Sequence, residues 1–86
     1  MPEPSKRRQA ARSELDFDPV KLRARRIAYG LGVVELADKA KFSPSYLSEL
    51  ERGNRNPSPG LLKRIAVALE CETTDLMPDR LADAVA

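Results

Sequence analysis

With 86 residues and a formal net charge of +2, the chain has room for one small domain, whose core supplies stability of only a few kcal/mol. One cysteine and no histidine exclude a disulfide framework and leave no soft ligand set for zinc or iron. No apolar run reaches the ~18–20 residues of a membrane span and the N-terminus is polar, so the composition points to a cytoplasmic protein without metal or cofactor.

Residues 1–17 hold two prolines, the "KRR" run and few large apolar groups, which predicts a flexible basic arm whose Lys6, Arg7, Arg8 and Arg12 are either solvated, bind phosphates without specificity or reach into a minor groove. At Asp18-Pro19 the pattern changes, because Asp accepts free amide protons at a helix start and Pro is tolerated at the first helical position. A first helix is predicted over 19–29, stopped by Gly30 in the left-handed conformation. In "VVELADKA", Val33, Leu36, Ala37 and Ala40 recur at offsets of three and four, the stripe of a short amphipathic second helix. A brief turn at Lys41-Phe42 leads to Ser43-Pro44, the cap and proline of a third helix reaching about Arg52. There Leu47 and Leu50 face inward, Ser45, Ser48 and Glu49 face outward, and Gly53 closes the helix.

A fourth helix starts at Ser58-Pro59 and runs to about Leu69, with Leu62, Ile65, Ala66 and Leu69 as its apolar stripe. Thr73 or Thr74 is expected to cap a last short turn containing Leu76 and Met77, ended by Pro78. Residues 79–86 form a tail whose Leu81 and Val85 are four apart, enough for a turn or two of helix. The expected fold is all-α, four to five short helices, with the folded domain over 18–78.

Charge is segregated along this order. Residues 19–64 hold ten basic against four acidic side chains, net +6, whereas residues 65–86 hold Arg80 against five acids, net −4. The basic half is either a solvated face or a surface for a polyanion. The second and third predicted helices have the length and connection of a helix-turn-helix, whose second helix enters the DNA major groove. The outward residues of "SPSYLSELERG" are small and polar, so the backbone can come close to a duplex, and Arg52 and Arg55 flank the end where phosphates would pass.

From Leu22 to Met77 the strings "LRARRIAYGL", "ELADKA", "SPSYLSELERGNRNPS" and "LLKRIAVALE" with "TTDLM" resemble the lambda repressor and Cro family of helix-turn-helix regulators, also called the xenobiotic-response-element family. The resemblance implies a compact lambda repressor-like bundle that binds double-stranded DNA as a homodimer, on operators whose half-sites lie about one helical turn apart. By position, Pro44, Ser45 and Glu49 correspond to residues that meet base edges, with Tyr46 and Ser48 beside them. Asn54, Arg55 and Val33 correspond to phosphate-contacting positions, to which Ser43 and Arg52 are added as candidates. Arg26 and Glu51 align with a structural salt bridge.

Three positions depart from the family pattern. Val33 stands where a glutamine amide usually clamps a phosphate, Pro44 has no donor for a base, and Lys41 replaces a glycine in the turn. A side chain held left-handed at Lys41 costs about 1 kcal/mol. Tyr46 either touches the duplex through its hydroxyl or covers the junction of the two helices with its ring, and Cys71 is expected in the core.

The resulting functional expectation is a repressor working by occupancy through residues 44–52. The alternative is an antitoxin-like or adaptor module that holds a basic protein partner through the acidic residues 65–86. An enzyme is disfavoured, since His is absent, no glycine-rich phosphate loop exists and the acids of "ELAD" suit an exposed helix face.

Overall fold

Among the described residues, three helices begin on the same pair, a cap whose side chain accepts a backbone N–H, followed by proline. Asp18 accepts from Val20 N (2.9 Å) at α1 (Pro19–Tyr29). Ser43 accepts from Tyr46 N (3.1 Å) at α3 (Pro44–Glu51), and Ser58 from Leu61 N (3.2 Å) at α4 (Pro59–Ala68). Each cap satisfies one of the amides that a helix start leaves unpaired, and proline has none to satisfy. The computed structural model describes residues 15–85; α2 (Val33–Ala40), a 3₁₀ turn (Thr73–Leu76) and α5 (Asp79–Val85) complete it. Among the described residues there is no strand, and the fold is all-α.

Two left-handed glycines, Gly30 (φ 90°) and Gly53 (φ 80°), end α1 and follow α3. Lys41 adopts the left-handed conformation with φ 67° in spite of its Cβ, and Glu70 does the same after α4 with φ 55°. The Lys41 turn is held from outside: Arg64 on α4 donates through Nε to Ala40 O (3.0 Å) and through Nη2 to Lys41 O (2.6 Å). These bonds satisfy carbonyls at the C-terminal end of α2, so the connection to α3 does not rely on a glycine. The 3₁₀ turn is capped by Glu72 rather than by the threonines. Glu72 and Asp75 form a reciprocal capping box, in which the Asp75 carboxylate accepts from Glu72 N at 2.9 Å.

The core gathers Leu22 from α1, Leu36 and Ala37 from α2, Leu47 and Leu50 from α3, Ile65 from α4 and Leu76 from the 3₁₀ turn. Leu15 and Phe17 join it at 0% exposure, which corrects the boundary expected at residue 17. The segment is stitched down by hydrogen bonds as well: Asp18 N donates to Leu76 O (2.7 Å) and the Arg80 side chain, through Nη2, to Leu15 O (3.0 Å). Two apolar side chains alternating with Asp16 and Asp18 bury their hydrophobic surface without any helical period, which is why the polar composition around them concealed it. Cys71 is half-buried against the core, and burial pushes its thiol pKa up. α5 packs on the 3₁₀ turn and is tied to α1 by Lys21 Nζ, which reaches Asp79 Oδ1 (2.6 Å) and Met77 O (2.9 Å).

Candidate nucleic-acid interface

The position of α3 is set from below by a buried ion pair. Arg26 on α1 donates through Nε and Nη2 to the two oxygens of Glu51, at 2.6 and 3.0 Å, and through Nη1 to Leu31 O at 2.9 Å. Both side chains are nearly buried, 10% and 8% exposed. The hydrogen bonds to Glu51 raise the Arg26 pKa above its ordinary value against desolvation, which lowers it. The inner side of α3 adds Leu47 and Leu50 to the core, so the helix is fixed in roll and tilt by the residues that do not face solvent.

Its outer side is where the candidate base readers lie. Ser43, Pro44 and Ser45 are exposed at the N-terminal end, and Ser48 and Glu49 are half-exposed one turn later. Ser43 accepts from Tyr46 N with its hydroxyl oxygen, which leaves the hydroxyl proton to donate outward. The half-buried ring of Tyr46 meets Phe42 edge-on, 6.1 Å between centroids at 88°, and so lies over the junction of α2 and α3. The Arg55 guanidinium sits 5.9 Å from that ring's centroid, which places this cation beside the helix after the chain has left it.

Glu49 is engaged on both oxygens. Arg52 Nη1 donates to Oε2 at 2.9 Å and Asn54 Nδ2 donates to Oε1 at 3.0 Å, while Asn54 N donates to the Glu49 carbonyl at 3.0 Å. Three residues predicted separately, one as a base reader and two as phosphate contacts, therefore form one cluster at the C-terminal end of α3. Val33, at the start of α2, is half-buried and packed on the core, so its side chain serves packing. Next to it a Cβ on Gly32 would collide with the Glu35 carboxylate, which folds back over the first turn of α2. Lys6, Arg7, Arg8 and Arg12 lie outside the described residues.

Several positioning residues carry no sequence signal. Asp16 and Asn56, 40 residues apart, exchange two bonds: Asp16 N to Asn56 Oδ1 (3.0 Å) and Asn56 Nδ2 to Asp16 Oδ2 (3.1 Å). They join the N-terminal segment to the loop after α3. Tyr29 ties α1 to α2 and to the turn after α4, accepting from Lys39 (3.0 Å), which also lies 4.3 Å from the ring centroid, and donating to Glu70. Leu81 is half-buried beside an apolar groove with Pro57, Leu62 and Met77. Among the described residues no helix is long and apolar enough to cross a membrane, and no group of three or more His, Cys, Asp or Glu is placed to hold a metal ion.

A family profile described as helix-turn-helix matches residues 22–76. The transcriptional regulator ClgR of Mycobacterium tuberculosis is 40% identical over 58 residues, covering 67% of this chain and 52% of ClgR. The HTH-type transcriptional regulator SlrR of Bacillus subtilis is 44% identical over 48 residues, covering 55% of this chain and 32% of SlrR. The chain thus spans about half the length of ClgR and a third of SlrR. Among solved structures, the restriction-modification controller protein C.AhdI of Aeromonas hydrophila superposes with a TM-score of 0.67 at 36% identity, covering 69% of this chain and 89% of that one. The clp gene regulator ClgR of Corynebacterium glutamicum superposes with a TM-score of 0.64 at 40% identity, covering 66% of this chain and 73% of that one.

Proposed function

The chain belongs to the lambda repressor-like helix-turn-helix family, and from that premise we propose that it is a sequence-specific DNA-binding transcriptional regulator, a homodimeric repressor on a two-fold operator. The observation that carries the reading is the outer side of α3: small, exposed Ser43, Pro44 and Ser45 lead a helix whose far end is flanked by Arg52 and Arg55. Small side chains let the helix backbone enter a major groove about 12 Å wide, and Arg55 lies where the phosphates of its walls would pass.

In this reading Ser45 and Ser48 hydrogen-bond base edges and Pro44 offers only apolar contact, for instance to a thymine methyl. Ser43 and Arg55 meet phosphates, with the backbone at Val33 contributing an amide rather than a side chain. Tyr46 acts through its ring, by shaping the junction. Repression follows from occupancy, since a dimer lying over a promoter excludes other proteins with no catalytic step, and the site of action is the cytoplasm, at the nucleoid. The names of the relatives, transcriptional regulators and a controller protein, agree in kind. The basic arm adds phosphate contacts that carry no sequence information.

The alternative role, holding a basic protein through residues 65–86, has less to work with because several of those acids are engaged within the chain. Asp79 pairs with Lys21 (2.6 Å), Asp75 with Arg25 (3.4 Å), and Glu70 accepts from Tyr29.

Fluorescence-anisotropy titration of the chain against promoter DNA of its own locus and a scrambled duplex, across a salt series, tests the proposal. The expected result is a preference of ~10³ or more for the native site. Equal, steeply salt-dependent binding to both duplexes would reduce the activity to phosphate attraction, and no binding to either would shift the weight to a protein partner.

A further inference from the structure

Glu49, Arg52 and Asn54 are bonded to one another at the end of α3, an arrangement that their separate roles on DNA do not account for. A carboxylate has about four acceptor sites and no donor. Two of Glu49's are taken, one on each oxygen, by Arg52 Nη1 and Asn54 Nδ2. The side chain is 36% exposed, on the same side of α3 as Ser45 one turn earlier, and its remaining lone pairs can accept from outside.

Resting on the proposed DNA binding, in which Glu49 stands at a base-reading position of the family, we infer that Arg52 and Asn54 are positioning residues that hold its carboxylate for the exocyclic amine of a cytosine, rather than independent phosphate contacts. In the major groove only cytosine N4 and adenine N6 donate, and adenine sets its N7 acceptor beside N6, where it repels a carboxylate. Guanine and thymine offer acceptors at the corresponding edge and are rejected. An isolated carboxylate would also be driven from the groove by the phosphates. Arg52 removes that obstacle by compensating the charge at 2.9 Å, while Asn54, anchored by its own N–H on the Glu49 carbonyl, fixes the second oxygen. The reader is therefore held in place before DNA arrives, so little side-chain entropy is lost on binding.

The test selects bound duplexes from a randomised library with the full chain and with E49A, E49Q, R52A and N54A, then measures affinity and salt slope on the selected site and its single-base variants. Thermal melting of each variant confirms folding. For the wild type one position per half-site should favour cytosine by about tenfold or more. E49A should level that position alone, and E49Q should move it toward adenine, whose N6 and N7 suit a glutamine amide. R52A and N54A should weaken the cytosine preference at the same position.

A cytosine preference that survives E49A overturns the inference. So does an R52A variant that binds all sequences more weakly, with a salt slope smaller by about one and the preference intact, because that is the signature of a phosphate contact. A wild-type chain that binds every duplex alike overturns the proposed DNA reading itself and this inference with it.

Discussion

Replacing Glu51 with leucine leaves the Arg26 guanidinium in a pocket where it is 10% exposed, with Leu31 O at 2.9 Å as a remaining acceptor. Removing one partner of a buried ion pair costs about 3–5 kcal/mol, because the surviving charge loses its compensation while its desolvation penalty stays. A domain of this size holds stability of the order of 5 kcal/mol. The single variant E51L should therefore lose most of it, and its melting temperature should fall by about 12 °C or more. The double variant R26M/E51L removes both charges and fills the same space, so it should come back to within about 2 kcal/mol of the wild type. Urea unfolding followed by circular dichroism, run on wild type, both single variants and the double, gives the coupling energy directly. A coupling of about 2 kcal/mol or more is expected. Single variants that each cost under about 1 kcal/mol, or costs that simply add in the double, would refute the assignment of α3's position to this pair.

The packed N-terminal segment makes a sharper boundary prediction: removing residues 1–14 should leave the melting temperature nearly unchanged, whereas F17A should cost about 3–5 kcal/mol and largely unfold the domain. The same 1–14 truncation should flatten the salt dependence of DNA binding by roughly one unit for each lost phosphate contact, and an unchanged slope would dismiss the arm. At the left-handed turn, K41G should stabilise by about 0.5–1 kcal/mol in urea unfolding, while R64A, which frees the Ala40 and Lys41 carbonyls, should destabilise by about 1–2 kcal/mol. Hydrogen bonding to Lys21 holds the Asp79 carboxyl below its ordinary pKa, so the tie of α5 to α1 is complete above the usual aspartate value of about 3.9 and is lost as pH falls through the lower folded value. Chemical shifts of residues 79–85 should then report constant helicity from about pH 5 to 8 and fraying in acid, a dependence that D79N removes.

Short-range physics made much of the fold legible. The cap-and-proline starts at Asp18, Ser43 and Ser58 are bonds between residues two or three apart, and the residues that make them are adjacent in the chain. The stripe Leu36, Ala37 and Ala40 is likewise a local repeat. The Glu49 clasp spans three and five residues, so its members were visible as neighbours, but their engagement with one another was not. Glu72 displaced the threonines as cap because its reciprocal bond with Asp75 satisfies two amides where a threonine hydroxyl satisfies one.

By itself the sequence determined which segments are helical, where α1, α3 and α4 begin, and which side of the third helix turns outward, because hydrogen bonds within a turn and hydrophobic periodicity act over a few residues. Tertiary structure alone decided where the domain starts and how its turn is held. Leu15 and Phe17 become core only when the loop after α3, the 3₁₀ turn and Arg80 close around them, and Asp16 finds Asn56 only 40 residues away. Lys41 keeps a conformation its own Cβ disfavours because Arg64, from another helix, binds the carbonyls beside it. Such contacts carry no local period, and their partners become neighbours only when the chain closes on itself.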